Sequence, residues 1–420
     1  MTSAATSPSA TLTERVRALL TPTWSGVAGP GRVGAEIELL PVRITADGPR
    51  PVPRLDTLAA LRRADPALID DACVTFEPGG QLELSPPCSG GVAEALRVID
   101  VMIARARKCA EAGGFVLLDA AVSPWHDVDD VALQTEAPRY RAMQSRFDSV
   151  GVSGRRMMRL TASLQVCLDL DPSLLRWRVL NVVGPALSAA FAASPLLAGR
   201  PIGMSSTRLA IWQQLDPTRT AFDGGDLGCD WTAAYEQFAL TAVAMPLPRG
   251  GAENMPPSGV TLDQWLASGE ARPDDEDIVH HLTTLFPPVR PRGYLEVRYL
   301  DALPARWRDV AICTLAALCS DDEALWRAMD AVPTWDGTCS SAWARAARDG
   351  VRDGSLRATA CQLLSVAAAA AHRAPRGWLP ANAADRIAGF AAKWTARGRC
   401  PGDELLERFR RDPQDWTAWT

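Results

Sequence analysis

Apolar and polar positions alternate with a period of two at several places in the first 300 residues, the spacing of extended strands whose successive side chains point to opposite faces. Val33-Gly-Ala-Glu-Ile-Glu-Leu-Leu puts Ala35, Ile37 and Leu39 on one face and Glu36 and Glu38 on the other. Cys73–Phe76 and Gln81–Ser85 read as strands separated by Pro78-Gly79-Gly80, with Gln81, Glu83 and Ser85 opposite Leu82 and Leu84. Met158–Leu170 predicts a longer strand whose polar side carries Thr161, Ser163, Gln165, Cys167 and Asp169. Tyr294–Leu300 predicts another, with Glu296 and Arg298 on one face. Phe115–Ala121 and Phe238–Ala244 are further strand candidates.

Helical spacing marks Thr11–Leu20, residues 56–64, and Val92–Ala112 ending at Gly113-Gly114. It also marks a helix from near Pro138, residues 172–182, an alanine-rich helix between Pro185 and Pro195, and the start of Thr261–Ser268. Residues 43–54, 122–138, 215–230 and 246–260 read as loops. After Pro304 the chain is almost wholly helical. Strands cluster early without strict alternation with helices, which favours α+β with an antiparallel sheet over a doubly wound fold. The expected organisation is a flexible tail over residues 1–10 and a single domain over 11–420, with its sheet in 11–303 and a helical part in 304–420.

Composition removes several function classes. A net charge of −5 argues against nucleic acid as a partner, which calls for a basic face. The two lysines, Lys108 and Lys393, occupy no GxxxxGK[ST] motif, and no kinase-type lysine and HRD loop occur. Ten cysteines form no CxxC pair, and the four histidines have no zinc-ligand spacing. Val179–Gly199 is interrupted by Asn181, Pro185 and Pro195, so no membrane span is expected. With no secretory signal at the start of the sequence, the expected compartment is the cytoplasm.

Taken singly, each polar strand could be a sheet with one solvated face. Their sum is more pointed. If the strands are neighbours, Glu36, Glu38, Glu77, Glu83 and Glu296 crowd one surface, with the Pro78-Gly79-Gly80 bend re-aiming Glu77 toward Glu83. Carboxylates that close repel unless cations neutralise them, and hard oxygen donors suit Mg²⁺ or Mn²⁺. Arg298 beside Glu296 could then meet a transferring phosphoryl group.

Gly34-Ala-Glu-Ile-Glu, Phe76-Glu-Pro-Gly-Gly-Gln-Leu-Glu-Leu-Ser, Met157-Met-Arg-Leu-Thr-Ala-Ser-Leu-Gln-Val, Asp216-Pro-Thr-Arg-Thr, Leu282-Thr-Thr-Leu-Phe-Pro-Pro-Val-Arg and Leu295-Glu-Val-Arg resemble, in this order, the motifs of glutamate–cysteine ligases. The resemblance is to the branch holding the plant enzymes and a bacterial enzyme that supplies γ-glutamylcysteine for ergothioneine synthesis. It implies a glutamine-synthetase-like fold: a curved, mainly antiparallel sheet with helices on its outer side, followed here by a helical C-terminal region. It implies glutamate, cysteine and ATP as substrates, and Mg²⁺, or Mn²⁺, held by Glu36, Glu38, Glu77, Glu83 and Glu296. It implies Arg298 as the catalytic arginine and Gln165 on the nucleotide face; Arg208 is the candidate for the glutamate α-carboxylate, against a plain surface arginine, and Arg290 and Arg292, just before the last strand, either touch the nucleotide phosphates or are solvated. Position near the motifs suggests Tyr140, Met143 or Trp212 for the cysteine pocket. The chain departs from the family where asparagine is expected after Gln-Val, since Cys167 stands there. A ligase using another amine, a guanidino phosphotransferase and a non-catalytic cation-binding protein are the competing readings.

Overall fold

The computed structural model describes residues 12–24, 26–69, 73–135, 137–222, 230–245, 259–268, 273–333 and 339–420. Ten strands occur among them: β1 (Val33–Thr45), β2 (Gly48–Pro51), β3 (Val74–Phe76), β4 (Leu82–Leu84), β5 (Val116–Leu118), β6 (Ser163–Leu168), β7 (Leu196–Leu197), β8 (Arg200–Pro201), β9 (Val289–Pro291) and β10 (Leu295–Asp301). The main sheet runs β3-β4-β1-β6-β10-β9, with β2 and β5 paired to the later part of β1, while β7 and β8 form a separate ribbon. Every pairing is antiparallel. The four strands with polar faces, β4, β1, β6 and β10, are therefore consecutive neighbours.

The apolar alternates of these strands face the other way. Ala35, Ile37, Leu39, Leu82, Leu84, Leu164, Val166, Leu295 and Val297 are all buried. The helix Val92–Ala112 packs on β1, and Ala305–Leu318 packs on β6 and on that helix. Each fully buried Leu, Ile or Val contributes roughly 1.5–3 kcal/mol, so this interface fixes which face of every strand looks outward. The later helix Gly354–Arg373 stacks on Ala305–Leu318, Gly184–Ala190 and Ala383–Lys393. No helix among the described residues is long and apolar enough to cross a membrane.

Three local expectations are corrected. Met158–Leu160 belong to a helix, Ser153–Leu160, and β6 begins only at Ser163. Met157, Met158 and Leu160 bury in a small cluster with Met143, Phe147 and Phe286, and the helix end is closed by Ser123 N donating to Leu160 O and Gln81 Nε2 to Thr161 O. Phe238–Thr241 ends a helix, Trp231–Thr241, rather than forming a strand. Asp230 caps it, and the buried Trp231, Tyr235 and Ala239 fall at i, i+4 and i+8. Residues 43–51 form a hairpin, not a loop, turned at Ala46-Asp47, with Gly48 entering β2 at φ +111°. The expected tail and residues 223–229 and 246–258 of the expected loops lie outside the described residues.

Candidate active site

Pairing register arranges the polar face in three rows. Glu83 of β4 stands opposite Glu38 of β1. Glu36 of β1 stands opposite Gln165 of β6. Gly34 stands opposite Cys167, Cys167 opposite Glu296, and Glu296 opposite Arg290. Residues directly opposite in a ladder share a face, so these side chains form one continuous surface. Glu38 is gripped by Ser163, whose N and Oγ donate at 2.9 and 2.6 Å, and by Gln165 Nε2 at 3.2 Å. Arg298 Nη1 donates to Gln165 Oε1 at 2.8 Å, tying β10 to β6 beside a register shift between Val297 and Leu300.

Glu77 reaches this surface through a bend. Gly80 N donates to Glu77 O and Glu77 N to Gln81 O, both at 2.9 Å, closing the turn. Gly80 has φ +90°, and a Cβ on Gly79 would fall 2.3 Å from Arg159 O, so both positions require glycine. The turn brings the Glu77 carboxyl into hydrogen-bond contact with Glu83. Glu83 also accepts from Thr75 Oγ1 at 2.7 Å and Ser85 Oγ at 3.2 Å.

Charge divides the surface in two. Burial, then Glu296 and Glu83, push the Glu36 carboxyl up to about 7. Burial and Glu83 raise Glu38 against the opposing Ser163 hydrogen bonds, and burial with Glu38 and Glu83 raises Glu77 well above the usual carboxylate range. Glu296 behaves oppositely. Burial alone would raise it, but Arg290, Arg298 and Arg292 hold it down to about 2. Arg290 Nε and Nη2 donate to it at 2.8 and 3.1 Å, Arg292 Nη1 at 3.3 Å and Arg298 Nη1 at 2.5 Å.

Among the described residues no three His, Cys, Asp or Glu side chains already converge as a metal-ligand set. The chemistry of the donors nonetheless fits a hard dication: they are all oxygen, and Glu36, Glu38 and Glu77 are raised partly by the charge of neighbouring carboxylates. Glu296 has guanidinium partners in that place.

The substrate candidates meet around one small apolar cluster, which includes Met143 and against which Tyr140 and Trp212 both pack. Arg208 lies in the helix Thr207–Gln213, capped by Ser206 Oγ, which accepts from Leu209 N. It is buried, donates from Nη2 to Arg298 O at 2.9 Å, and stacks 5.5 Å from the Trp212 ring. Arg298 lies 5.7 Å from the same ring and 6.0 Å from Phe286. Arg208 Nε, Arg298 Nε and Trp212 Nε1 are buried donors without an acceptor, a set suited to a carboxylate or phosphate oxygen. Tyr140 lies under the Arg139 guanidinium at 4.3 Å, with its phenol pushed up by burial and then Glu77. Met143 is enclosed in the cluster of Phe147 and Met157. Beside Glu36 a recess of 270 Å³ is lined by Arg32, Gly34, Ser85, Cys88, Cys167 and Tyr294 among others.

Sequence reasoning left out three supporting groups. Ser163 falls on the polar face by period, but its clamp on Glu38 exists only once β1 and β6 pair. Asp301 accepts from Ala193 N and Ser194 Oγ at 2.8 Å and Ser206 Oγ at 2.9 Å, fixing the cap of the Arg208 helix. Arg219, from Asp216-Pro-Thr-Arg, donates to Thr284 O and Oγ1 while its own carbonyl accepts from Phe286 N, so that motif builds the aromatic floor under Arg298. The short serine run before Arg208 is a helix-cap pattern, and Asp216-Pro-Thr-Arg stands out as a motif, but neither shows its partners.

The sequence matches the family described as glutamate-cysteine ligase family 2 over residues 32–418. It is 36% identical over 363 residues to the glutamate–cysteine ligase EgtA of Mycolicibacterium smegmatis, covering 83% of this chain and 81% of that one. It is 29% identical over 359 residues to the chloroplastic glutamate–cysteine ligase of Arabidopsis thaliana, covering 80% and 66%. The fold is similar to that of a glutamate–cysteine ligase from Francisella tularensis in complex with AMP, with TM-score 0.54 and 14% identity over 92% of this chain and 86% of that one.

Proposed function

Because the chain belongs to glutamate–cysteine ligase family 2, we propose that it joins the γ-carboxylate of glutamate to the amine of cysteine at the expense of ATP, giving γ-glutamylcysteine on the way to ergothioneine. The observation that carries this reading is the shared face of β4, β1, β6, β10 and β9, where four carboxylates adjoin three arginines gathered on Glu296.

In the first step an oxygen of the glutamate γ-carboxylate attacks the γ-phosphorus of ATP, and ADP leaves. In the second the neutral amine of cysteine attacks the acyl carbon, phosphate leaves and a proton is released. Arg298, with Arg290 and Arg292, holds the phosphate oxygens as charge builds on them, and Gln165 fixes Arg298. Arg208, with the Trp212 indole N–H, takes the α-carboxylate of glutamate. Tyr140 borders the cysteine site, and Met143 supports that wall from behind. Bound Mg²⁺ or Mn²⁺, held by Glu36, Glu38, Glu77, Glu83 and Glu296, would neutralise charge on the phosphates.

The test is phosphate release from ATP, Mg²⁺ and glutamate with each amino acid or ammonia added, and mass detection of the product. Release that depends on cysteine, with a γ-glutamylcysteine mass, supports the reading. Release driven by another amine changes the acceptor, and no release with any amine overturns it.

A further inference from the structure

The turn that carries Glu77 is held from outside by a segment without a regular element. Residues 127–134 run over it as a strap. Arg156 pairs with Asp127 at 2.8 Å, and Arg159 Nη1 reaches Val128 O and Val131 O at 3.4 and 3.5 Å. At the end of the strap Gln134 meets the turn itself. Its backbone N donates to Pro78 O at 2.7 Å, and its side-chain Nε2 donates to Gly79 O at 2.6 Å. Its Oε1 accepts from Arg54 N, at the start of the helix Arg54–Ala64. A Cβ on Gly80 would sit 2.8 to 3.0 Å from the Gln134 amide, so the side chain lies flat against the turn. From inside, Gln81 Oε1 accepts from Gly79 N at 3.0 Å, while Gln81 Nε2 anchors to Thr161 O at 2.8 Å. Both backbone polar groups of Gly79, its N–H and its carbonyl, are thus taken by glutamine amides, one on each side.

We propose that Gln134 is a positioning residue for Glu77, holding the Pro78-Gly79-Gly80 turn so that the Glu77 carboxylate stays beside Glu83, where a divalent cation is shared. The inference rests on the proposed cation site. The Glu77 carboxyl reaches Glu83 through the shape of this turn, and Gln134 Nε2 fixes the Gly79 carbonyl within it. Two cation ligands on neighbouring segments need that shape held before the cation arrives. The Gln81 side chain meets the N–H of Gly79 and leaves its carbonyl to Gln134. Groups that orient ligands from behind typically govern affinity for the ion.

The experiment is Mn²⁺ binding to the full chain, read from the free-ion electron paramagnetic resonance signal without nucleotide, with thermal unfolding in EDTA alongside. Gln134→Met keeps the shape and loses both side-chain hydrogen bonds. Gln134→Glu keeps the acceptor for Arg54 N and loses the donor to Gly79 O. Both are expected to weaken Mn²⁺ binding about tenfold or more with little change in Tm. Wild-type affinity in both variants, while Glu83→Gln loses binding, overturns the clamp and leaves the cation site standing. Binding that falls only in proportion to a collapsed Tm makes Gln134 merely structural and also overturns it. No Mn²⁺ binding by the wild type, or wild-type binding in Glu83→Gln, overturns the cation site and the clamp with it.

Discussion

Glu38 and Glu83 face each other directly across the β1–β4 ladder. Antiparallel sheets usually place opposite charges or apolar pairs at such positions, and like charges there destabilise. Ser163 satisfies Glu38 and Thr75 satisfies Glu83, yet neither supplies a positive charge. The pair is a cost of folding that a bound cation would offset.

Glu83→Gln follows from this. Without metal the variant should be as stable as the wild type, or more stable by up to about 1 kcal/mol. The wild type should gain about 2.7 kcal/mol at a Mg²⁺ concentration a hundred times its Kd, and the variant almost none. Thermal unfolding with and without Mg²⁺ checks both, and an undiminished response to Mg²⁺ in the variant would count against Glu83 as a ligand.

Glu36 sets a pH dependence. Its carboxyl is raised from 4.5 to about 7, by burial first and then by Glu296 and Glu83. The folded chain therefore holds a proton that the unfolded chain has released, and metal-free stability should fall as pH rises from about 4.5 through about 7. The same proton must leave before a cation binds, so Mg²⁺ affinity should climb over that window. Glu36→Gln should flatten both slopes, as measured by denaturation in EDTA and by Mn²⁺ titration across pH.

Glu296 has the reverse sign. Held down to about 2 by its arginines against the opposing effect of burial, it contributes stability above about 4.5 that is lost as pH falls toward 2. Glu296→Ala leaves buried guanidiniums without their shared carboxylate, which should cost about 3–5 kcal/mol in urea denaturation. Turnover should be nearly abolished, and a variant with normal turnover would remove Glu296 from the site.

Gly79→Ala is a steric test of the Glu77 turn. The new methyl would meet Arg159 O at 2.3 Å and Arg159 Cα at 2.5 Å, both backbone atoms that cannot swing aside. Overpacking of this kind typically costs about 1–3 kcal/mol, and moving the turn carries Glu77 away from Glu83. The Mg²⁺-dependent rate should fall further than Tm would predict. Loss of rate and stability in parallel would mean that the turn matters to the fold alone.

The carboxylate rows were readable because strand alternation survives wherever one face is packed. Glu36, Glu38, Glu83 and Glu296 could be placed on polar faces from period alone, and Glu77 from its Pro-Gly-Gly bend. What period cannot reveal is which strands are neighbours. The convergence of Arg290 on Glu296 depends on β9 folding back on β10, and the stacking of Arg208 and Arg298 on Trp212 depends on a helix some ninety residues earlier in the chain. Met158–Leu160 and Phe238–Thr241 misled because short apolar runs fit strand and helix alike until capping and burial decide. Asp216-Pro-Thr-Arg was legible as a motif but not as a support, since Arg219 meets Thr284 and Phe286 only in three dimensions.

The division between the acidic rows and the arginine-bound Glu296 amounts to an electric polarity running across the strands, negative toward β4 and positive toward β9. Its order across the sheet is fixed by the strand register. A ligand bearing a cation at one end and an anion at the other can lie on this surface in one sense only, and the sheet thereby sets the direction of approach before any side chain has moved.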